Sequence, residues 1–115
     1  MIVEDATQLS DEWMEHRVAI PTASQFNRII TSAGEPSKQR NKYLFQLAGE
    51  SIVGKKAESY QSEAMLRGIE MEGEAREAYE LITGNEVEQV GFCYKDERKS
   101  VGCSPDGLVG DNGVL

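Results

Sequence analysis

The stretch Thr83-Gly84-Asn85-Glu86-Val87-Glu88-Gln89-Val90-Gly91-Phe92-Cys93-Tyr94 divides the chain into two kinds of pattern. Upstream of it, apolar residues recur at three- and four-residue intervals, the rhythm of helices. Within it, Val87, Val90, Phe92 and Tyr94 fall into a loose alternation that predicts a strand over residues 86–94. The charged run Lys95-Asp96-Glu97-Arg98-Lys99 reads as a hairpin loop, with residues 100–104 as the returning strand. Pro105-Asp106-Gly107 and Leu108-Val109 follow, then a turn at Gly110-Asp111-Asn112-Gly113. Val114-Leu115 reads as the start of a third strand.

Working back from that switch, four helices are expected. Ser10 caps the first, with Asp11 and Glu12 in its first turn and His16 and Arg17 in its last, matching the helix dipole. Pro21 interrupts the chain. Thr22 then caps a helix from Ala23 to Ile30, with Gln25 in capping-box position. After a loop marked by Gly34 and Pro36, a third helix runs from Lys38 to Val53 and stops at Gly54, with Tyr43, Leu44, Leu47, Ala48 and Ile52 as its apolar stripe. Lys55 to Gln61 reads as a polar connector. The fourth helix, Glu63 to Ile82, carries Ala64, Met71, Ala75, Ala78 and Ile82 as the face expected to be buried, and Thr83-Gly84 as its stop. Interior Gly68 and Gly73 each cost about 1 kcal/mol relative to Ala, which predicts a close approach there. Four helices followed by strands give an α/β (α+β) domain whose sheet is incomplete at the C-terminus.

The chain has 115 residues, 39% of them apolar, and a net charge of −8. That is one domain with enough apolar content for a core. No stretch approaches the roughly 20 apolar residues of a membrane span, and Met1-Ile2-Val3-Glu4-Asp5 lacks the features of a signal peptide. Two cysteines, Cys93 and Cys103, are too few for a disulfide scaffold, so reduced thiols in a cytoplasmic setting are expected. The negative charge opposes a nucleic-acid partner until its distribution is read. Residues 35–60 carry Lys38, Arg40, Lys42, Lys55 and Lys56 against Glu35, Glu50 and Glu58, a balance of +2, whereas residues 62–88 carry eight Glu against Arg67 and Arg76. A local basic edge is what a ligand meets.

Two acids could carry chemistry. Glu72 sits on the shoulder of the fourth helix's stripe, in line with Ile69, Arg76 and Tyr79; it is either the partner of an ion pair with Arg76, four residues on, or a functional carboxylate. Asp106 lies in a Pro-Asp-Gly that is either a simple turn or, flanked by apolar strand residues, an oxygen ligand for a hard divalent cation. Arg17, Ser24 and Ser104 are the anion-binding candidates: Ser24 at the start of the Thr22 helix, Arg17 as a bidentate fork closing the helix before it. The alternative for each is an ordinary surface or helix-start residue. His16, the only histidine, has no second His or nucleophile spaced near it and reads as a surface residue.

Glu12-Trp13-(three residues)-Arg17, Thr22-Ala23-Ser24, Arg67-Gly68-Ile69-Glu70-Met71-Glu72-Gly73-Glu74-Ala75-Arg76 and Cys103-Ser104-Pro105-Asp106-Gly107-Leu108 together resemble the YqaJ-type viral recombinases, the phage lambda exonuclease family within the wider PD-(D/E)xK nucleases. The resemblance covers about residues 10–115. It implies a restriction-endonuclease-like core, N-terminal helices packed on a mixed sheet, and metal-dependent hydrolysis of DNA, 5′ to 3′ from duplex ends, in recombination. Asp106 and Glu72 are then the catalytic, metal-binding acids, for Mg²⁺ with Mn²⁺ as a substitute, and Arg17, Ser24 and Ser104 hold the 5′-phosphate. Implied partners are double-stranded DNA ends, a single-strand annealing protein and a homotrimeric ring, in the cytoplasm of a phage-infected or bacterial host cell and away from any membrane.

By the same resemblance, residues 1–115 form a single partial nuclease domain. Residues 1–61 would be the helical, DNA-end-binding part and 62–115 the metal-site helix with the first core strands. The family continues beyond the equivalent of Leu115 with an acid, one residue and a lysine, so this chain is expected to be a truncated, inactive form holding half a metal site. Two alternatives accompany this reading: a non-catalytic DNA-end-binding module of the same fold, and an acidic interaction protein or DNA mimic.

Overall fold

In a computed structural model, which describes residues 1–57 and 61–115, five short strands and three α-helices follow one another. Strand β1 (Ile2–Glu4) is followed by helix α1 (Asp11–His16), a 3₁₀ turn (Ala23–Arg28), helices α2 (Arg40–Val53) and α3 (Glu63–Thr83), and strands β2 (Phe92–Tyr94), β3 (Gly102–Cys103), β4 (Leu108–Val109) and β5 (Gly113–Val114). β1, β2 and β3 form one antiparallel sheet in that order, and β4 pairs with β5 in a separate hairpin. A parallel bridge between Thr22 and Gly102 ties the 3₁₀ turn to β3, and a bridge from Glu88 to Leu108 ties the segment before β2 to β4. The architecture is α+β, as the pattern predicts.

The helix ends follow their caps. Ser10 and Ser62 accept the amides of Trp13 and Met65, and Gly54 and Gly84 close α2 and α3 with φ of 77° and 70°, the left-handed conformation that glycine adopts without strain. The Thr22 segment departs from expectation. It is a six-residue 3₁₀ turn, not a helix to Ile30, and Thr22 makes no capping bond; its buried hydroxyl lies 3.4 Å from Ser24 Oγ instead. The bridge to Gly102 explains this, because it holds Thr22 in the sheet's register. β1 is an addition to the sequence reading: Ile2, Val3 and Glu4 pair with Tyr94, Cys93 and Phe92. The connector reading of residues 55–61 lies in part outside the described residues.

The core is small and sits between α1 and the sheet. Ala6, Trp13, Phe92 and Tyr94 form it, with Ile2 and Ile20 packed against it. Phe92 and Tyr94 meet edge-to-face at 4.9 Å between centroids, a favoured aromatic geometry. Gly91 is required here, since a Cβ would strike the backbone of Ala6. His16 belongs to this cluster and is not a plain surface residue. Its ring lies parallel to Phe92, its Nδ1 is 3.0 Å from the Tyr94 hydroxyl, and that hydroxyl donates to the His16 carbonyl at 3.1 Å.

The fourth predicted helix is correct in extent but turned relative to expectation. Ala64, Met71, Ala75, Ala78 and Ile82 are all exposed, and the less exposed side is Ile69, Glu72, Gly73, Arg76, Tyr79 and Glu80. α3 docks through polar contacts, with Glu80 Oε1 accepting the Val87 amide at 2.7 Å and Arg76 reaching the Asp106 carbonyl. Gly68 and Gly73 meet no close neighbour among the described residues, so the expected tight approach is absent there. On α2 only Tyr43 and Leu47 of the predicted stripe turn inward, while Leu44, Ala48 and Ile52 face out.

Candidate functional site

Arg76, one turn after Glu72 on α3, reaches the main chain of Asp106, which ties the segments of the two acids together across 34 positions of sequence. Asp106 lies between β3 and β4, flanked by buried Pro105 and Gly107. Gly107 allows the close packing there, because a Cβ would collide with the Val87 side chain. The Asp106 amide donates to the Leu115 carbonyl at 3.2 Å, and its own carbonyl accepts from Arg76 Nη1 at 3.4 Å. The Glu72 carboxyl, one turn before Arg76, is pushed above the ordinary carboxylate range by burial and then by the negative charge of Asp106, with Arg76 pulling the other way. The ion pair considered for Glu72 and Arg76 is not formed among the described residues; Arg76 serves the Asp106 backbone instead.

Carboxylates from these two segments would be oxygen donors of the kind that a hard divalent cation takes. Such a cation keeps several waters when only one or two carboxylates bind it. Among the described residues no third His, Cys, Asp or Glu joins them.

Arg17 and Ser104 meet directly. Arg17 caps α1 and its Nη1 donates to Ser104 Oγ at 3.0 Å, while its guanidinium lies 4.3 Å from the centre of the Trp13 ring. The Trp13 indole N–H is shared between Ser104 Oγ and the Gly91 carbonyl, each at 3.0 Å. A guanidinium stacked on an indole and fixed at one nitrogen keeps its remaining donors aimed for an anion. Burial lowers the Arg17 pKa, and the nearby Tyr43 and Glu50 offset that only in part.

Ser24 is exposed, and its hydroxyl contacts Thr22. The parallel Thr22–Gly102 bridge nevertheless places Ser24 and Ser104 each two residues past a bridged pair, on segments entering the same region. The helix-dipole argument for Ser24 fails with the helix, since a six-residue 3₁₀ turn replaces it.

The sequence reading places Tyr43 in the apolar stripe of α2 and counts Glu50 as a charge, and gives neither a functional part. Tyr43 and Glu50 are 1% and 3% exposed, seven residues apart on the inward side of α2. Glu50 pairs with Lys56 Nζ at 3.1 Å, and Arg28 lies over the Tyr43 ring at 4.6 Å. The available signal was an acid two turns from Tyr43 on the same helix face.

A family model for the YqaJ-like viral recombinase domain matches residues 12–115. No curated protein matches the chain. Among solved structures, the fold is similar to an alkaline exonuclease, LHK-Exo, from Laribacter hongkongensis, at 33% identity and a TM-score of 0.76, covering 91% of this chain and 50% of that one. A structure of LHK-Exo in complex with dAMP gives a TM-score of 0.77 at the same identity, over 91% of this chain and 51% of its own. The chain belongs to the YqaJ-like viral recombinase family. It spans about half the length of the solved relatives it matches.

Proposed function

We propose that this chain is part of a metal-dependent DNA exonuclease that degrades duplex DNA from its ends, 5′ to 3′, in recombination. One observation carries the reading: Ser104 and Asp106 stand two residues apart on one segment; Arg17 bonds the first, and α3, the helix of Glu72, is tied to the second through Arg76. Two residues span at most about 7 Å, on the order of one nucleotide of backbone. An anion site and a carboxylate pair are therefore spaced as a terminal phosphate and the next phosphodiester require. The similarity to LHK-Exo, described as an alkaline exonuclease, supports the same activity.

On this reading Arg17, Ser104 and Ser24 hold the terminal 5′-phosphate, and Trp13 orients both Arg17 and the Ser104 hydroxyl. Glu72 and Asp106 would hold Mg²⁺, with Mn²⁺ as a substitute. When bound, the metal supplies charge neutralisation at the phosphoryl oxygens and an acidified water. Asp106 is kept in place by its backbone bonds to Arg76 and Leu115, so its carboxylate meets the substrate without reorganisation. Duplex ends are the proposed partner; an annealing protein and a trimeric assembly belong to the same proposal through the family.

Metal titration followed by a nuclease assay tests this. Mg²⁺ should raise the melting temperature of the chain, and Asp106→Ala should abolish that rise. The 115-residue chain should cleave a duplex weakly or not at all, and a version extended through an acid-x-Lys strand should cleave it. Strong cleavage by the short chain, or a metal effect indifferent to Asp106, would refute the assignment. A second reading, a module that grips ends without cutting, is favoured by the carboxylate pair having no third ligand among the described residues; it predicts end binding without any metal effect.

A further inference from the structure

Tied to the Arg17 main chain through Lys56 is a buried polar group that the end-binding reading does not use. Glu50 is buried on α2, and its Oε1 accepts from the Ala57 amide at 3.0 Å and pairs with Lys56 at 3.1 Å. Among the described residues its Oε2 is buried without a hydrogen-bond partner, as are the Tyr43 hydroxyl and Arg28 Nε. Lys56 Nζ also reaches the Arg17 carbonyl at 3.5 Å. A buried carboxylate with one oxygen unmatched is costly unless a cation lies close enough to hold its charge. That cation is Lys56, whose ammonium bridges the Glu50 carboxylate and the Arg17 main-chain carbonyl.

We propose that Glu50, with Lys56 as its counter-ion, is a positioning residue for Arg17 and thereby sets the preference of the site for a phosphorylated over an unphosphorylated DNA end. The inference rests on Arg17 and Ser104 forming the end pocket. Arg17 is held at three points: the Trp13 ring fixes the plane of its guanidinium, Ser104 fixes one nitrogen, and Lys56, anchored by Glu50, holds its main-chain carbonyl. Without Glu50, Lys56 loses its anchor and the backbone from which the Arg17 side chain projects is no longer fixed. Arg17 then meets a terminal phosphate with poorer alignment, while contacts along the duplex are unaffected. Lys56 couples the same carboxylate to the Arg17 main chain, so backbone and side chain are set together.

The test is fluorescence anisotropy with the full chain and two short duplexes that differ only in a 5′-phosphate or a 5′-hydroxyl. The wild-type chain should bind the phosphorylated duplex about tenfold or more tightly, and Arg17→Ala should remove that ratio. Glu50→Gln should bring the ratio to within about twofold, and should change nothing further when added to Arg17→Ala. The double variant Glu50→Gln/Lys56→Met removes both members of the buried pair, which preserves folding better than removing one. It should show the same loss. A general loss of structure would lower the affinity for both duplexes and leave their ratio intact. If Arg17→Ala loses the ratio while the folded Glu50 variants keep it, the positioning role is refuted and the end pocket stands. If the wild-type chain shows no preference at all, the end pocket itself is refuted and this proposal with it.

Discussion

The Arg17 guanidinium and the Ser104 hydroxyl are bonded at 3.0 Å across 87 positions of sequence, joining the end of the first helix to the segment that carries Asp106. Trp13 donates to the same hydroxyl, so Ser104 Oγ is the point where α1 and the end of β3 lock together. Replacing Ser104 by Ala leaves Trp13 its bond to Gly91 but takes the acceptor from Arg17. We expect a stability loss of about 1 kcal/mol in chemical denaturation, the net worth of such bonds. Binding of a 5′-phosphorylated duplex should weaken by a larger factor than that of its hydroxyl counterpart.

Glu72 gives a pH dependence with a defined sign. Burial and the charge of Asp106 raise its pKa, so the protonated acid is favoured in the folded chain. Its contribution to stability is then fully present below the unfolded carboxylate value and is lost as pH rises through the folded one. Melting temperatures of the metal-free chain should fall across that window, and Glu72→Gln should flatten the fall. Mg²⁺ acts in the opposite sense, because its ligands must be ionised, and its stabilisation should grow over the same interval.

Glycine substitutions separate two kinds of position. Gly91→Ala drives a methyl group into the Ala6 backbone, which cannot give way as a side chain tip can. A loss of about 1–3 kcal/mol or more is expected. Gly68→Ala on α3 meets open space and should stabilise the chain by up to about 1 kcal/mol through helix propensity. Thermal melts of the two variants should move in opposite directions.

The outward faces of α2 and α3 should tolerate charge in this chain. Phe45 is 76% exposed and Leu81 87% exposed, so Phe45→Lys and Leu81→Lys remove little buried area. Each should change stability by less than about 0.5 kcal/mol, read from the denaturant midpoint.

Helix ends were readable because a cap is a local event: Ser10, Gly54 and Gly84 each act within four residues of themselves. β1 was not readable, since Ile2-Val3-Glu4 is short and its partner lies at residues 92–94. The same limit explains α3. Periodicity tells which residues share a face, not which face finds a neighbour, and here Glu72, Arg76 and Glu80 dock while the apolar stripe does not. Glu72, Asp106, Arg17 and Ser104 could be named from the order of the family's blocks. That Arg17 meets Ser104, and that Glu50 is tied to its main chain through Lys56, depends on tertiary packing that no local spacing encodes.

β1 carries a consequence for how the protein is made. Phe92, Cys93 and Tyr94 are covered along one edge by the first residues of the chain. β1 and its partner are separated by most of the helical part of the fold, so the pairing closes only after the long stretch between them has been laid down. Until then the row of β2 has an open, apolar flank, ready to recruit the wrong strand from another nascent copy. β1 thus works as a late-closing cover, and loss of its pairing would be felt first in the yield of correctly folded material.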